Sequence, residues 1–120
     1  MTRFADVAAG ADLSDGGLKA VTLEGKELLL ARVGDEYFAA DDRCPHMGAR
    51  LSGGTLEGTI VVCPRHGSRF DLRDGRVDRW TESSGPLLSI AKMVRPPRPL
   101  RTYPVQVREG RLMVDVEPDV

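Results

Sequence analysis

Both cysteines and both histidines of this 120-residue chain fall between positions 44 and 66, as Cys44-x-His46 and Cys63-x-x-His66. Thiolate and neutral imidazole bind soft or borderline metals, so the quartet points to zinc, to an iron–sulfur centre or, less well, to copper, and excludes hard cations. A disulfide would use both cysteines, but a histidine two or three positions from each reads better as ligation in a reducing compartment. A structural zinc accepts two Cys and two His, yet its usual form sets Cys beside Cys and His beside His. Here each pair supplies one of each, an arrangement that suits two metals side by side, one on the thiolates and one on the imidazoles. A zinc-stabilised binding module stays open on the ligand types alone.

The flanks narrow the choice. Pro45 and Pro64 follow the cysteines, Gly48 and Gly67 stand beside the histidines, residues 47–62 form a sixteen-residue spacer, and "HGSRFD" ends the second pair. On these residues the chain resembles the Rieske family over 41–80, and "RPLRTYPVQVREGRLMV" is similar to that family's C-terminal strands. The resemblance implies one [2Fe–2S] cluster per chain, held by Cys44, His46, Cys63 and His66. It also implies an outer layer of Ser68, Pro64, Gly67 and Met47. Ser68 is expected to bond a bridging sulfide, the prolines Pro45 and Pro64 fix the backbone after each cysteine, and Met47 with Leu51 shields the cluster or forms an apolar tip.

Two ferric ions, two sulfides and two thiolates sum to zero when both imidazoles are neutral, so the added electron makes the cluster only −1. Four thiolates would leave both states two units more negative, consistent with Rieske potentials of about −150 to +300 mV against about −400 mV for plant-type ferredoxins. High-potential family members carry an extra cysteine on each loop and a tyrosine after the last ligand. Ala49, Arg65 and Phe70 occupy those places here. The expected potential is therefore in the lower part of the range, and the resemblance is to the soluble ferredoxins of ring-hydroxylating dioxygenases. It implies a one-electron carrier, not an enzyme, that takes electrons from a flavin-dependent ferredoxin reductase and passes them to a terminal non-haem iron oxygenase. A Rieske-type small subunit of a nitrite reductase is the alternative. With His46 and His66 committed, no histidine is left for a mononuclear two-His, one-carboxylate iron. No Gly-x-Gly-x-x-Gly follows a strand to hold a dinucleotide either.

The elements that must present these ligands are short. Apolar residues are 41 % and charged residues 29 % of the chain, as in an ordinary soluble domain, and the length suits a single domain spanning 1–120. β-branched and apolar runs recur between turns at Gly25, Gly34-Asp35, Asp74-Gly75 and Glu109-Gly110. This predicts an all-β, antiparallel sandwich or partly closed barrel of eight to ten short strands, with both ligand pairs on loops of a small cluster-binding subdomain at about 42–72. Residues 81–100, with four prolines, predict a long connection or a turn or two of helix. Phe4, Tyr37, Phe38, Trp80 and Tyr103 are expected in the core.

Net charge is −1, which gives no case for nucleic acid. It is unevenly spread: −5 over residues 1–42, +3 over 43–70 and +5 over 91–111. Arg43, Arg50, Arg65 and Arg69 are expected either as a positive rim around the ligands or as solvated surface residues. The N-terminus has neither a signal-peptide core nor the roughly 20 apolar residues of a membrane span, so a cytoplasmic protein without membrane attachment is expected.

Overall fold

Leu28, Leu29, Leu30 and Ala31 are consecutive, and each is at most 1 % exposed. Side chains alternate across a strand, so such a run needs apolar cover on both faces. The computed structural model, which describes residues 4–45, 48–65, 67–79 and 99–116, supplies that cover. Strands β2 (Leu18–Leu23), β3 (Lys26–Val33) and β4 (Glu36–Asp41) form an antiparallel meander, and the two-residue β9 (Thr102–Tyr103) is added beside β4. Leu29, Ala31 and Ala40 face one core, shared with Cys44, Leu51, Val61, Cys63, Phe70, Leu72 and Leu100. Leu28, Leu30, Ala39 and Tyr103 face a second, shared with Ala8, Leu112, Val114 and Val116. This sheet is therefore the middle layer, and each leucine it buries contributes roughly 1.5–3 kcal/mol.

The outer layers are also antiparallel. The chain's two ends meet in one, where β1 (Phe4–Ala9) and β10 (Val105–Arg108) flank β11 (Arg111–Asp115). The other is a meander of three-residue strands: β5 (Thr55–Glu57), β6 (Ile60–Val62), β7 (Arg69–Asp71) and β8 (Val77–Arg79). Among the described residues the layers amount to eleven strands, two short 3₁₀ turns, no α-helix and no closed barrel.

The strand count exceeds the eight to ten expected because two apolar runs are divided. "TLEGTIVV" turns back at Gly58-Thr59, so that Glu57 pairs with Ile60. "TYPVQV" changes sheets at Pro104, which has no N–H to offer a ladder: Tyr103 pairs with Ala39 in the middle sheet, while Val105 pairs with Val114 in an outer one. Tyr103 is buried, Tyr37 and Phe38 pack half-buried against the cores, and Phe4 is half-buried at the end of β1. Trp80 and the 81–98 connection lie outside the described residues.

Candidate metal centre

Cys44 follows β4 and Cys63 follows β6, so a middle-sheet strand and an outer-sheet strand each deliver one thiol. Both are buried in the same core, and neither is in a disulfide. The backbones after them are matched. Gly48 N–H donates to the Cys44 carbonyl at 2.8 Å, and Cys44 N–H donates to the Ala49 carbonyl at 2.8 Å. In the second loop Gly67 N–H donates to the Cys63 carbonyl at 3.2 Å, and Cys63 N–H to the Ser68 carbonyl at 2.8 Å. Each loop thus closes on the fourth and fifth residues after its cysteine. The closing glycines have φ of +74° and +69°, a left-handed turn that a side chain would strain.

In sequence, each histidine lies between its cysteine and that glycine. His46, Met47 and His66 themselves lie outside the described residues, and no group of three His, Cys, Asp or Glu side chains forms a metal site among the residues that are described. The described donors nonetheless suit the inferred group. Two reduced thiols sit in one dry core, on loops closed by the same pair of backbone hydrogen bonds, and each loop carries one imidazole in its sequence.

The two loops are held close together. Gly54, just after the first, has no room for a Cβ, which would collide with the Val62 carbonyl oxygen at the entry to the second and lie 3.2 Å from Pro64 Cδ. Pro64 directly follows Cys63, and Ser68 directly follows the Gly67 turn. Pro64 is exposed and Ser68 fully buried. Phe70, also fully buried, packs in the core with both cysteines and has no hydroxyl to donate. An open cleft of about 360 Å³, lined by Arg43, Cys44, Pro45, Gly48, Pro99 and Arg101 among others, runs beside the first loop.

Two buried acidic residues absent from the sequence expectations stand near the loops, Asp42 at the first and Asp71 after the second. Asp42 is fully buried. Its carboxylate accepts from Ser52 N–H at 2.7 Å and Ser52 Oγ at 2.8 Å, and its carbonyl accepts from Leu51 N–H at 2.7 Å. Asp71, at the end of β7, accepts from Arg73 through both oxygens and from Arg76 at 3.2 Å. The Arg73 hydrogen bonds hold the Asp71 carboxyl well below the usual carboxylate range despite its burial.

The expected positive rim is not free charge. Arg43 and Arg50 both bind Glu27, and Arg69 lies between Asp78 at 2.9 Å and Glu57 at 3.2 Å. Hydrogen bonding from Arg43 is the first cause holding the Glu27 carboxyl below its ordinary value, with Arg50 adding to it. Arg65 is exposed on the second loop and makes no ion pair among the described residues. Among those residues, too, no helix is long and apolar enough to cross a membrane.

Comparisons with known proteins identify the family. The model of the Rieske [2Fe–2S] domain matches residues 3–104. The ferredoxin component of the naphthalene 1,2-dioxygenase system of Pseudomonas aeruginosa is 35 % identical over 114 residues, covering 95 % of this chain and 96 % of that one. Among solved structures, the ferredoxin of carbazole 1,9a-dioxygenase from Nocardioides aromaticivorans IC177 superposes with a TM-score of 0.78 at 26 % identity, covering 95 % and 98 % of the two chains. A chain in the complex of reduced oxygenase and oxidized ferredoxin of a carbazole 1,9a-dioxygenase gives 0.77 at 32 % identity, covering 98 % and 96 %.

Proposed function

The chain belongs to the Rieske [2Fe–2S] domain family, and we propose that it is a one-electron carrier that serves a terminal oxygenase. In this reading Cys44, His46, Cys63 and His66 hold the cluster, and Ser68, Pro64, Gly67 and Met47 surround it. The matched pair of loops carries the reading: equal hydrogen-bond frames, each with one buried thiol and one histidine in its sequence. The whole chain is one domain, with its cluster-bearing part at about 42–72. When bound, the cluster supplies a single one-electron couple.

The chain's own residues give that couple a direction. Cys44 and Cys63 hold their sulfurs among Leu51, Val61, Phe70 and Leu72, where water is excluded. The loop tips differ: Gly48, Pro64 and Arg65 are exposed. Electrons therefore enter and leave at the exposed loop tips, and the cysteine side faces the protein. Ala49, Arg65 and Phe70 provide neither a disulfide between the loops nor a tyrosine hydroxyl, which supports a potential in the lower part of the family's range.

Both histidines of the chain are used on the cluster, so oxygen activation belongs to a separate protein. Relatives matched over nearly their full length are ferredoxin components of dioxygenase systems, which supports a terminal oxygenase as acceptor. A flavin-dependent reductase is the donor we assign, and the two reduced cysteines suit a cytoplasmic setting. The test is electron delivery. Dithionite-reduced holoprotein, mixed anaerobically with the terminal oxygenase of a naphthalene 1,2-dioxygenase system, should be reoxidised with about one electron passed per chain. Protein that takes up no electron from dithionite, or cannot pass it on, refutes the carrier role.

A further inference from the structure

Two arginines bound the first ligand loop, and one carboxylate from the middle sheet holds both. Glu27, near the start of β3, accepts from Arg43 Nε at 2.6 Å and from a terminal Arg43 nitrogen at 3.3 Å. The same carboxylate accepts from Arg50 at 2.7 Å. Arg43 spends its other terminal nitrogen on the Gly48 carbonyl inside the loop, at 3.1 Å. The backbones of Arg43 and Arg50 are paired across an isolated antiparallel bridge, so two like charges stand opposite each other, an unfavourable arrangement that Glu27 relieves. The Glu27 carbonyl also accepts from Asp42 N–H at 3.0 Å. With Asp42 3.6 Å from Arg50, two guanidinium groups and two carboxylates cancel at the neck of the loop.

We propose that Glu27 is a positioning residue for the electron-transfer centre: it fastens the first ligand loop to the middle sheet and cancels the positive charge that Arg43 and Arg50 would otherwise place beside Cys44. The inference rests on the cluster reading of the loops and adds a residue that is far from the ligands in sequence. The second loop has no such counterpart, since Arg65 at its tip is unpaired among the described residues and Arg69 is neutralised beyond the loop. Glu27 therefore sets an asymmetry, with charge balanced on the first loop and a cation left outward on the second. An electron added to the cluster is stabilised by nearby uncancelled positive charge, so removing the Glu27 charge favours the reduced state.

The test compares holoprotein with its Glu27→Gln, Arg50→Gln and doubly substituted forms, reading the reduction potential at low and high salt and the hydrogen exchange of the loop amides. Glu27→Gln keeps an acceptor but loses the charge, and should raise the equilibrium constant for reduction by up to about tenfold, equivalent to about 59 mV for one electron. Arg50→Gln should move it the opposite way, and the double variant should return close to wild type. High salt should shrink each shift, because the groups are partly exposed. The Cys44 and Gly48 amides should exchange faster in Glu27→Gln.

A Glu27→Gln potential within about twofold of wild type, on the same constant, overturns the charge role. A double variant that fails to return does the same, because a purely structural effect would not be cancelled by removing a second charge. Unchanged exchange overturns the fastening role. If Glu27→Gln does not retain its cluster, Arg50→Gln alone decides the charge role and Glu27→Asp, with charge kept and reach shortened, the fastening. A wild-type protein with no one-electron step refutes the family reading instead, and the exchange comparison still decides whether Glu27 fastens the loop.

Discussion

Asp42→Ala is expected to unlatch the first ligand loop. Alanine keeps the backbone bond from Leu51 but removes both bonds from Ser52 to a fully buried carboxylate. Hydrogen bonds to a charged group contribute roughly 1.5–3 kcal/mol each, but the two share one acceptor and one donor residue and are not additive. The Arg50 contact, at 3.6 Å from a half-exposed guanidinium, adds little once solvent screening is counted. A loss of about 3 kcal/mol follows, a large part of the roughly 5–15 kcal/mol that holds a domain folded. For a chain of this size that lowers Tm by about 12 °C. Melting of the holoprotein should be followed by far-ultraviolet dichroism and by cluster absorbance together, with absorbance lost first in the variant. Asp42→Asn keeps the shape and one acceptor oxygen and should lose only about 1 kcal/mol. If Asp42→Ala melts within about 2 °C of wild type, the Ser52 latch contributes nothing to loop closure.

Three further outcomes follow from other contacts. Asp71 stays ionised far below its ordinary pKa of 3.8 because Arg73 binds it. The unfolded chain therefore takes up a proton there that the native chain does not, so the stability it provides is complete above that value and falls away as the pH drops below it. Asp71→Asn should be less stable than wild type at neutral pH and show a shallower acid decline; equal slopes in acid denaturation would contradict this. Gly54→Ala should push the ligand loops apart through the Val62 carbonyl, costing about 1–3 kcal/mol and lowering cluster occupancy in parallel reconstitutions, whereas wild-type occupancy and Tm would show that the backbone yields easily. Tyr103→Phe removes a hydroxyl that donates to Asp41 from a buried position, and a cost of about 1–2 kcal/mol in urea unfolding is expected. No change there would mean that water replaces the bond without loss.

The features legible in the sequence are local ones. The four proposed ligand residues stand out by type and spacing, and Glu109-Gly110 and the Gly25 turn mark two hairpins that the structure contains, with Arg108 opposite Arg111 and Leu23 opposite Lys26. The Leu28–Ala31 run reads as a strand that needs apolar cover on both faces, but nothing local says which elements supply each layer. The sheet change at Pro104 and the hairpin at Gly58 carry the ordinary proline and glycine signals, and only the pairing partners reveal what those signals do.

Charge was the least legible. Arg43 and Arg50 reach a carboxylate 16 and 23 positions away, and no pattern within an acidic N-terminal third marks Glu27 as the one that meets them. Asp71-x-Arg73 did carry a local signal, because an Asp carboxylate commonly accepts the N–H two residues on, as it does here at 3.0 Å. Asp42 offered only its place at the mouth of the loop.

The cluster itself is tested most directly by counting. Metal and sulfide analysis of the purified protein, joined to a reductive titration followed by visible absorbance and potential, should give about two irons, two acid-labile sulfides and one electron per chain. The potential should fall in the lower part of the range of about −150 to +300 mV. A colourless protein that holds one zinc and accepts no electron would contradict the assignment of Cys44, His46, Cys63 and His66 to an iron–sulfur centre and leave them as a structural site.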